Sequence, residues 1–157
     1  MSNSITIRKA QRSDVSLVFQ FVCELAQYEK MESEVVTNEA MLEEELFDKG
    51  SAEVIFAMVD GKEVGFALFF HNFSTFKGKR GLYLEDLFVR PEYRGRGCGK
   101  SLLSELIRIA KERKYGRVEW MCLDWNTPSI EFYRSMGAVQ MDDRRLFRLT
   151  EETMQGK

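Results

Sequence analysis

The stretch Tyr93 to Leu103, YRGRGCGKSLL, sets three alternating glycines between a β-rich run and an amphipathic helical one, and this junction constrains the chain more than any other part. A strand, a glycine turn and a helix start bring several backbone N–H groups and a positive helix end to one point, which suits an anion. Glycines let the backbone approach that anion without a Cβ in the way. Two familiar phosphate loops fail here by one residue. The triphosphate pattern G-x-x-x-x-G-K-[ST] fits at Gly99-Lys100-Ser101, but its first glycine falls on Arg94, with Gly95 one place late. The dinucleotide pattern G-x-G-x-x-G fails because Gly95, Gly97 and Gly99 are spaced G-x-G-x-G. Arg94, Arg96 and Lys100 add charge where a diphosphate would sit. Taken alone, the loop fits an ordinary tight turn with basic flanks equally well.

Alternating elements lead into and out of this loop. The sequence predicts a strand at Ile5 to Arg8 and a helix from about Asp14 to Tyr28, with Val15, Val18, Val22 and Leu25 at helical spacing. Thr37 is expected to cap a second helix ending near Gly50. Strands at Glu53 to Val59 and Glu63 to Phe70 flank the hairpin signal Asp60-Gly61-Lys62, and Gly81 to Val89 is the strand that enters the loop. Beyond it, Leu103, Leu106, Ile107 and Ala110 form one helical stripe, stopped by Gly116. Arg117 to Leu123 reads as a strand, Asn126-Thr127-Pro128 opens a helix closed by Gly137, and Leu146 to Leu149 reads as a last strand. The order β, α, α, β, β, β, α, β, α, β predicts an α/β fold, a mixed sheet with helices on both faces.

At 157 residues and 44% hydrophobic content, one globular domain over residues 1–157 is expected. A formal charge of -2 lacks the basic balance of a nucleic-acid binder. No segment reads as a signal peptide, and the apolar runs, Phe66 to Phe70 among them, are far below the ~20 residues that span a bilayer. Neither nucleic acid nor membrane is an expected partner. Cys23, Cys98 and Cys122 form no C-x-x-C pair and cannot close a set of disulfides, so the expected setting is a reducing cytoplasm. His71 is the sole histidine, which excludes the usual histidine triads, and no metal is implied.

Tyr83 to Gly99, YLEDLFVRPEYRGRGCG, resembles the acetyl-CoA site of the GNAT N-acetyltransferase superfamily, whose loop pattern [QR]-x-x-G-x-[GA] is met by Arg94, Gly97 and Gly99. ELAQYEKME, WNTPSIEFYRSMGA and RLF extend the likeness to the diamine (spermidine/spermine-type) branch over nearly the whole chain. The resemblance implies a mostly antiparallel central sheet with two splayed parallel strands, acetyl-CoA as co-substrate between them, and a homodimer. Backbone groups of Leu87, Phe88 and Val89 would hold the pantetheine. Arg94 and the loop Gly95, Arg96, Gly97, Cys98, Gly99 and Lys100 would hold the diphosphate, with Asn126, Ser129 and Tyr133 also against the coenzyme.

An alkylammonium must lose a proton before its nitrogen can attack. Glu85 and Asp86 adjoin on one strand, so two-residue alternation sends them to opposite faces. The resemblance makes Glu85 the base, directly or through water. It makes Tyr133 the acid that protonates the leaving thiolate, although Ile130 and Tyr133 share a helical face that core packing alone would explain. The backbone N–H of Phe88 is the expected oxyanion donor. Direct transfer follows, with Cys122 read as core rather than as an acetyl carrier.

By family position Tyr28, Glu29, Glu85, Glu119, Trp120, Met121 and Asp142 would line the amine site. A polyamine, a diamine or a lysine-like amine all fit several carboxylates. The short Asp60-Gly61-Lys62 turn, the Asp142-Asp143-Arg144-Arg145 stretch and the acidic Glu119 depart from the animal polyamine enzymes. Protein lysine or N-terminal acetylation, and an acyl-CoA-binding module without turnover, are the alternatives; the misplaced glycine argues against a nucleotide-triphosphatase.

Overall fold

Phe56, Phe66 and Phe88 stand on one face of three neighbouring strands, and burying them decides where the first helix goes. A computed structural model describes residues 4–156. It forms two compact units, one ending at Met121 and one beginning at Cys122. In the first, β1 (Ile5–Lys9), β2 (Glu53–Val59), β3 (Lys62–Ser74), β4 (Lys79–Val89) and β5 (Val118–Trp120) lie side by side in chain order. The first three pairings are antiparallel and β4–β5 is parallel, which makes the mixed sheet that the sequence predicts. Asp60 and Gly61 join β2 to β3 with φ of 51° and 74°, the left-handed pair that a tight hairpin requires.

Helix α1 (Val15–Tyr28) buries Val18, Phe21, Leu25 and Ala26 along one stripe. The Phe21 ring stacks on Phe66 at 5.3 Å and meets Phe56 at 6.0 Å and Phe88 edge-on at 6.5 Å. Helix α3 (Cys98–Glu112) buries Leu102, Leu103, Leu106, Ile109 and Ala110. Ile109 shares a cleft with Ile7, Ile55 and Phe69, whose neighbours in the strands face α1, so α3 covers the opposite side of the sheet. Helix α2 (Glu39–Glu43) continues into a π-helical turn, Glu44–Asp48. Its cap is Asn38 rather than Thr37: the Asn38 Oδ1 accepts the Met41 N–H at 2.9 Å, the bond that satisfies a first-turn donor.

In the second unit, α4 (Thr127–Ser135) carries Pro128 in its first turn and ends before Gly137, whose φ is 89°. A short helix α5 (Glu151–Met154) is capped by Thr150. Leu146 to Leu149 is not a strand. The backbone of residues 139–149 makes no backbone hydrogen bond among the described residues, and Leu146, Phe147 and Leu149 are exposed. Its apolar residues mark a face to be buried, but a strand also needs a ladder partner. Among the described residues no helix is long and apolar enough to cross a membrane.

Candidate active site

The register of β4 creates the site. Leu84 pairs with Phe69 and Asp86 with Leu68, so Glu85 is an extra residue in the strand, a β-bulge. On the other side β5 pairs only with Leu82, Tyr83 and Leu84, because it ends at Trp120 instead of reaching Leu123. From Glu85 to Val89, β4 therefore has β3 along one side and, among the described residues, no ladder partner along the other. The Arg90 N–H donates to the Val64 carbonyl at 2.9 Å, and the two-residue period of an antiparallel ladder turns the N–H and C=O of Phe88 toward β3 as well. Leu87 and Val89 then present theirs to the open side. This corrects the oxyanion expectation: the Phe88 N–H is spent inside the sheet, and on this stretch of β4 it is Leu87 and Val89 that present backbone groups to the open side.

The bulge at Glu85 interrupts strict alternation, with Glu85 exposed and Asp86 half-buried. Both act on one neighbourhood. Burial, then the charges of Glu85 and Glu29, push the half-buried Asp86 carboxyl up to about 7. Burial also raises Glu29, the residue that follows Tyr28 at the end of α1. The Tyr83 phenol is raised by burial and by Glu85 and Glu119. Among the described residues Glu29, Glu85 and Asp86 form no ion pair, whereas Glu119 meets Arg117 at 3.1 Å. Trp120 is half-buried and Met121 exposed.

This arrangement has a cost that can be measured. An unfolded Asp86 ionises near the ordinary value of 3.8 and the folded one near 7, so its contribution to stability is present below about 4 and lost as pH rises through 7. Asp86→Asn is therefore expected to be more stable than wild type by a margin that grows from pH 5 to pH 8. Paired thermal melts across that range check it; a margin constant with pH refutes it.

The glycine loop bends where left-handed backbone is needed, with φ of 75° at Gly95 and 93° at Gly97. A Cβ on Gly95 would meet nothing within 4 Å, so space remains beside the backbone. Ser101 donates to the Gly97 carbonyl at 2.9 Å as α3 begins, which leaves the N–H groups of Cys98, Gly99 and Lys100 pointing forward without helical partners. Those donors fit a diphosphate. The Cys98 side chain is buried and its thiol pushed up by burial, so Cys98 contributes backbone alone. Lys100 is exposed and the Arg96 guanidinium lies over Tyr93 at 5.2 Å. Arg94 goes elsewhere: its Nε donates to the Val89 carbonyl at 2.8 Å, and its guanidinium lies 4.6 Å from the Tyr28 ring and 5.4 Å from Phe88.

In the second unit, Asn126 is buried at the start of α4, Ser129 is half-buried, and Tyr133 is half-buried beside Phe132 at 5.5 Å. Asp142 is exposed and accepts from the Gln140 amide at 2.6 Å. The Cys122 thiol donates to the Leu123 carbonyl at 3.5 Å. The sequence reading missed the importance of Asp86 and the outward turn of Leu87 and Val89. The adjacent Glu-Asp pair was visible, but the bulge at Glu85 was not.

A glycine loop with free backbone donors, an open strand edge and acids without an ion pair follow one another along β4 and into α3. Residues 19–138 match the family described as Acetyltransferase (GNAT), and the chain belongs to that family; it is an N-acetyltransferase. It is 30% identical over 96% of its length to the thialysine N-epsilon-acetyltransferase of Bos taurus, covering 95% of that protein. It is 46% identical to the L-ornithine N5-acetyltransferase NATA1 of Arabidopsis thaliana over 91 residues, which are 58% of this chain and 40% of that protein. Among solved structures, an integron cassette protein from the mobile metagenome of V. cholerae matches with a TM-score of 0.80 and 27% identity, over 99% of this chain and 96% of that one.

Proposed function

We propose that the chain, as one catalytic domain over residues 1–157, transfers the acetyl group of acetyl-CoA to a primary amine of a small cationic substrate by direct attack. The observation that carries this is the open stretch of β4 running from the acidic pair to the glycine loop. Leu87 and Val89 offer N–H and C=O groups spaced as a strand edge, which suits the amides of a pantetheine arm. The loop donors at Cys98, Gly99 and Lys100, with Arg96, suit its diphosphate. At the other end Glu29, Glu85 and Asp86 attract the ammonium, and the raised Asp86 carboxyl takes up a proton near neutral pH. Glu85 and Asp86 act as one accepting pair, and Tyr133 protonates the departing thiolate. Relatives that are named for thialysine and ornithine support a lysine-like amine as the first substrate class, ahead of a polyamine.

Thiol release from acetyl-CoA with L-ornithine, L-lysine, 1,5-diaminopentane and spermidine tests this reading. Turnover with one of them supports it; tight acetyl-CoA binding without turnover on any amine or peptide points to a binding module instead. Gly97→Val is expected to weaken acetyl-CoA binding at least tenfold, because a β-branched residue is strained at a φ of 93° and crowds the diphosphate. Calorimetric titration of the folded variant checks it, and unchanged affinity removes the loop from the site. The exposed Val139, Leu146, Phe147 and Leu149 favour a homodimer that covers them, which light scattering would register. A cytoplasmic setting accords with three cysteines of which none is disulfide-bonded among the described residues.

A further inference from the structure

Arg94 links the two halves of the proposed site through two different contacts. Its Nε–H holds the Val89 carbonyl, one of the few backbone acceptors on the open edge. Its guanidinium carbon lies over the Tyr28 ring at 4.6 Å and over Phe88 at 5.4 Å, the two ring centroids being 6.3 Å apart. A cation over an aromatic face is the arrangement that an alkylammonium substrate would adopt at the same ring. The first contact occupies a coenzyme position and the second an amine position. Both are held by one exposed side chain in a loop that bends at Gly95, so one movement vacates both.

We propose that Arg94 is an internal stand-in for the substrate cation, released by the coenzyme. This rests on the acetyl-CoA reading above. When the coenzyme's amide N–H takes the Val89 carbonyl and its diphosphate arrives at the loop, the guanidinium exchanges the Tyr28 face for the anion, where charge-assisted hydrogen bonds are stronger. The side of the Tyr28 ring that Arg94 covered is then vacated for the amine, beside Glu29 and Asp86. Amine binding follows coenzyme binding, and Arg94 is a positioning residue that sets this order. The competing guanidinium lowers amine affinity only while the coenzyme is absent, because the amine-competent state is then a minor one.

The test reads Arg94 directly. In nitrogen-15 spectra of arginine Nε–H groups, the Arg94 signal, identified by its loss in Arg94→Met, should carry the ring-current shift of Tyr28. CoA, which has no acetyl group to transfer, should move it. L-ornithine and spermidine are then titrated calorimetrically with CoA absent and saturating. In wild type, CoA should tighten the better amine by roughly 5–30-fold, the range of a displaced cation–π contact. In Arg94→Met that factor should fall toward one, with the amine already bound more tightly in the absence of CoA. A signal that stays in place while other resonances report CoA binding overturns the proposal and leaves the acetyl-CoA reading standing. So does the failure of both amines to bind more tightly with CoA than without it. No CoA binding at all overturns both.

Discussion

Tyr133→Phe is expected to lower kcat by roughly 10²–10⁴-fold while leaving acetyl-CoA affinity near wild type, the signature of a lost general acid. The substitution removes one oxygen and keeps the ring, so the packing of that ring beside Phe132 on α4 is retained. The chemistry that it removes is specific to one moment. A coenzyme thiol has a pKa near ~8.5, so it departs as a thiolate, and a donor poised at the sulfur matters only after the amine has attacked. The loss should therefore appear in kcat and kcat/KM alike, with little change in KM for the amine. The backbone groups of β4 are untouched. Phenylalanine at 133 with nearly wild-type kcat would make Tyr133 a packing residue of α4, and solvent would then supply the proton.

How much of this could be read from the chain differs from element to element, for physical reasons. The strand-loop-helix junction was legible because glycine spacing and flanking periodicity are local properties. So was the Asp60-Gly61 turn, where residue type alone announces positive φ. The bulge at Glu85 was not, because it exists only in the pairing of β4 with Leu68 and Phe69 of β3. That one-residue shift turns the Phe88 peptide groups toward β3 and leaves those of Leu87 and Val89 on the open side. The direction of Arg94 was hidden for a related reason: its aromatic partner Tyr28 comes from α1, far back in the sequence. Leu146 to Leu149 has the composition of a strand, yet a strand needs an available edge as well as apolar side chains. Asn38 and Thr37 are both good caps, and only the entry angle of the chain chooses between them.

The acidic pair makes the second large prediction, and here the sign of the pH effect separates the two carboxylates. With Asp86 raised to about 7, wild-type kcat/KM should fall as pH drops below 7, because the base fills with a proton before the amine, with a pKa of ~10, is affected. Burial is the main cause of that rise, and the neighbouring charge of Glu85 is the next. Glu85→Gln removes a negative charge that had been opposing ionisation of Asp86. Its acid limb should thus move to lower pH, with a higher KM for the amine because attraction is weaker. Asp86→Asn should lose the limb near 7 altogether and drop kcat by roughly 10²–10⁴-fold at neutral pH, the contribution of a positioned base. Its remaining rate should climb steeply toward pH 10, since the amine must then arrive already deprotonated. Glu29→Gln, further down the same order of causes, should shift the limb in the same direction as Glu85→Gln but by less. If Asp86→Asn instead kept a limb near 7 and Glu85→Gln abolished it, the proton would belong to Glu85 alone, and the raised Asp86 carboxyl would serve only to hold the substrate cation.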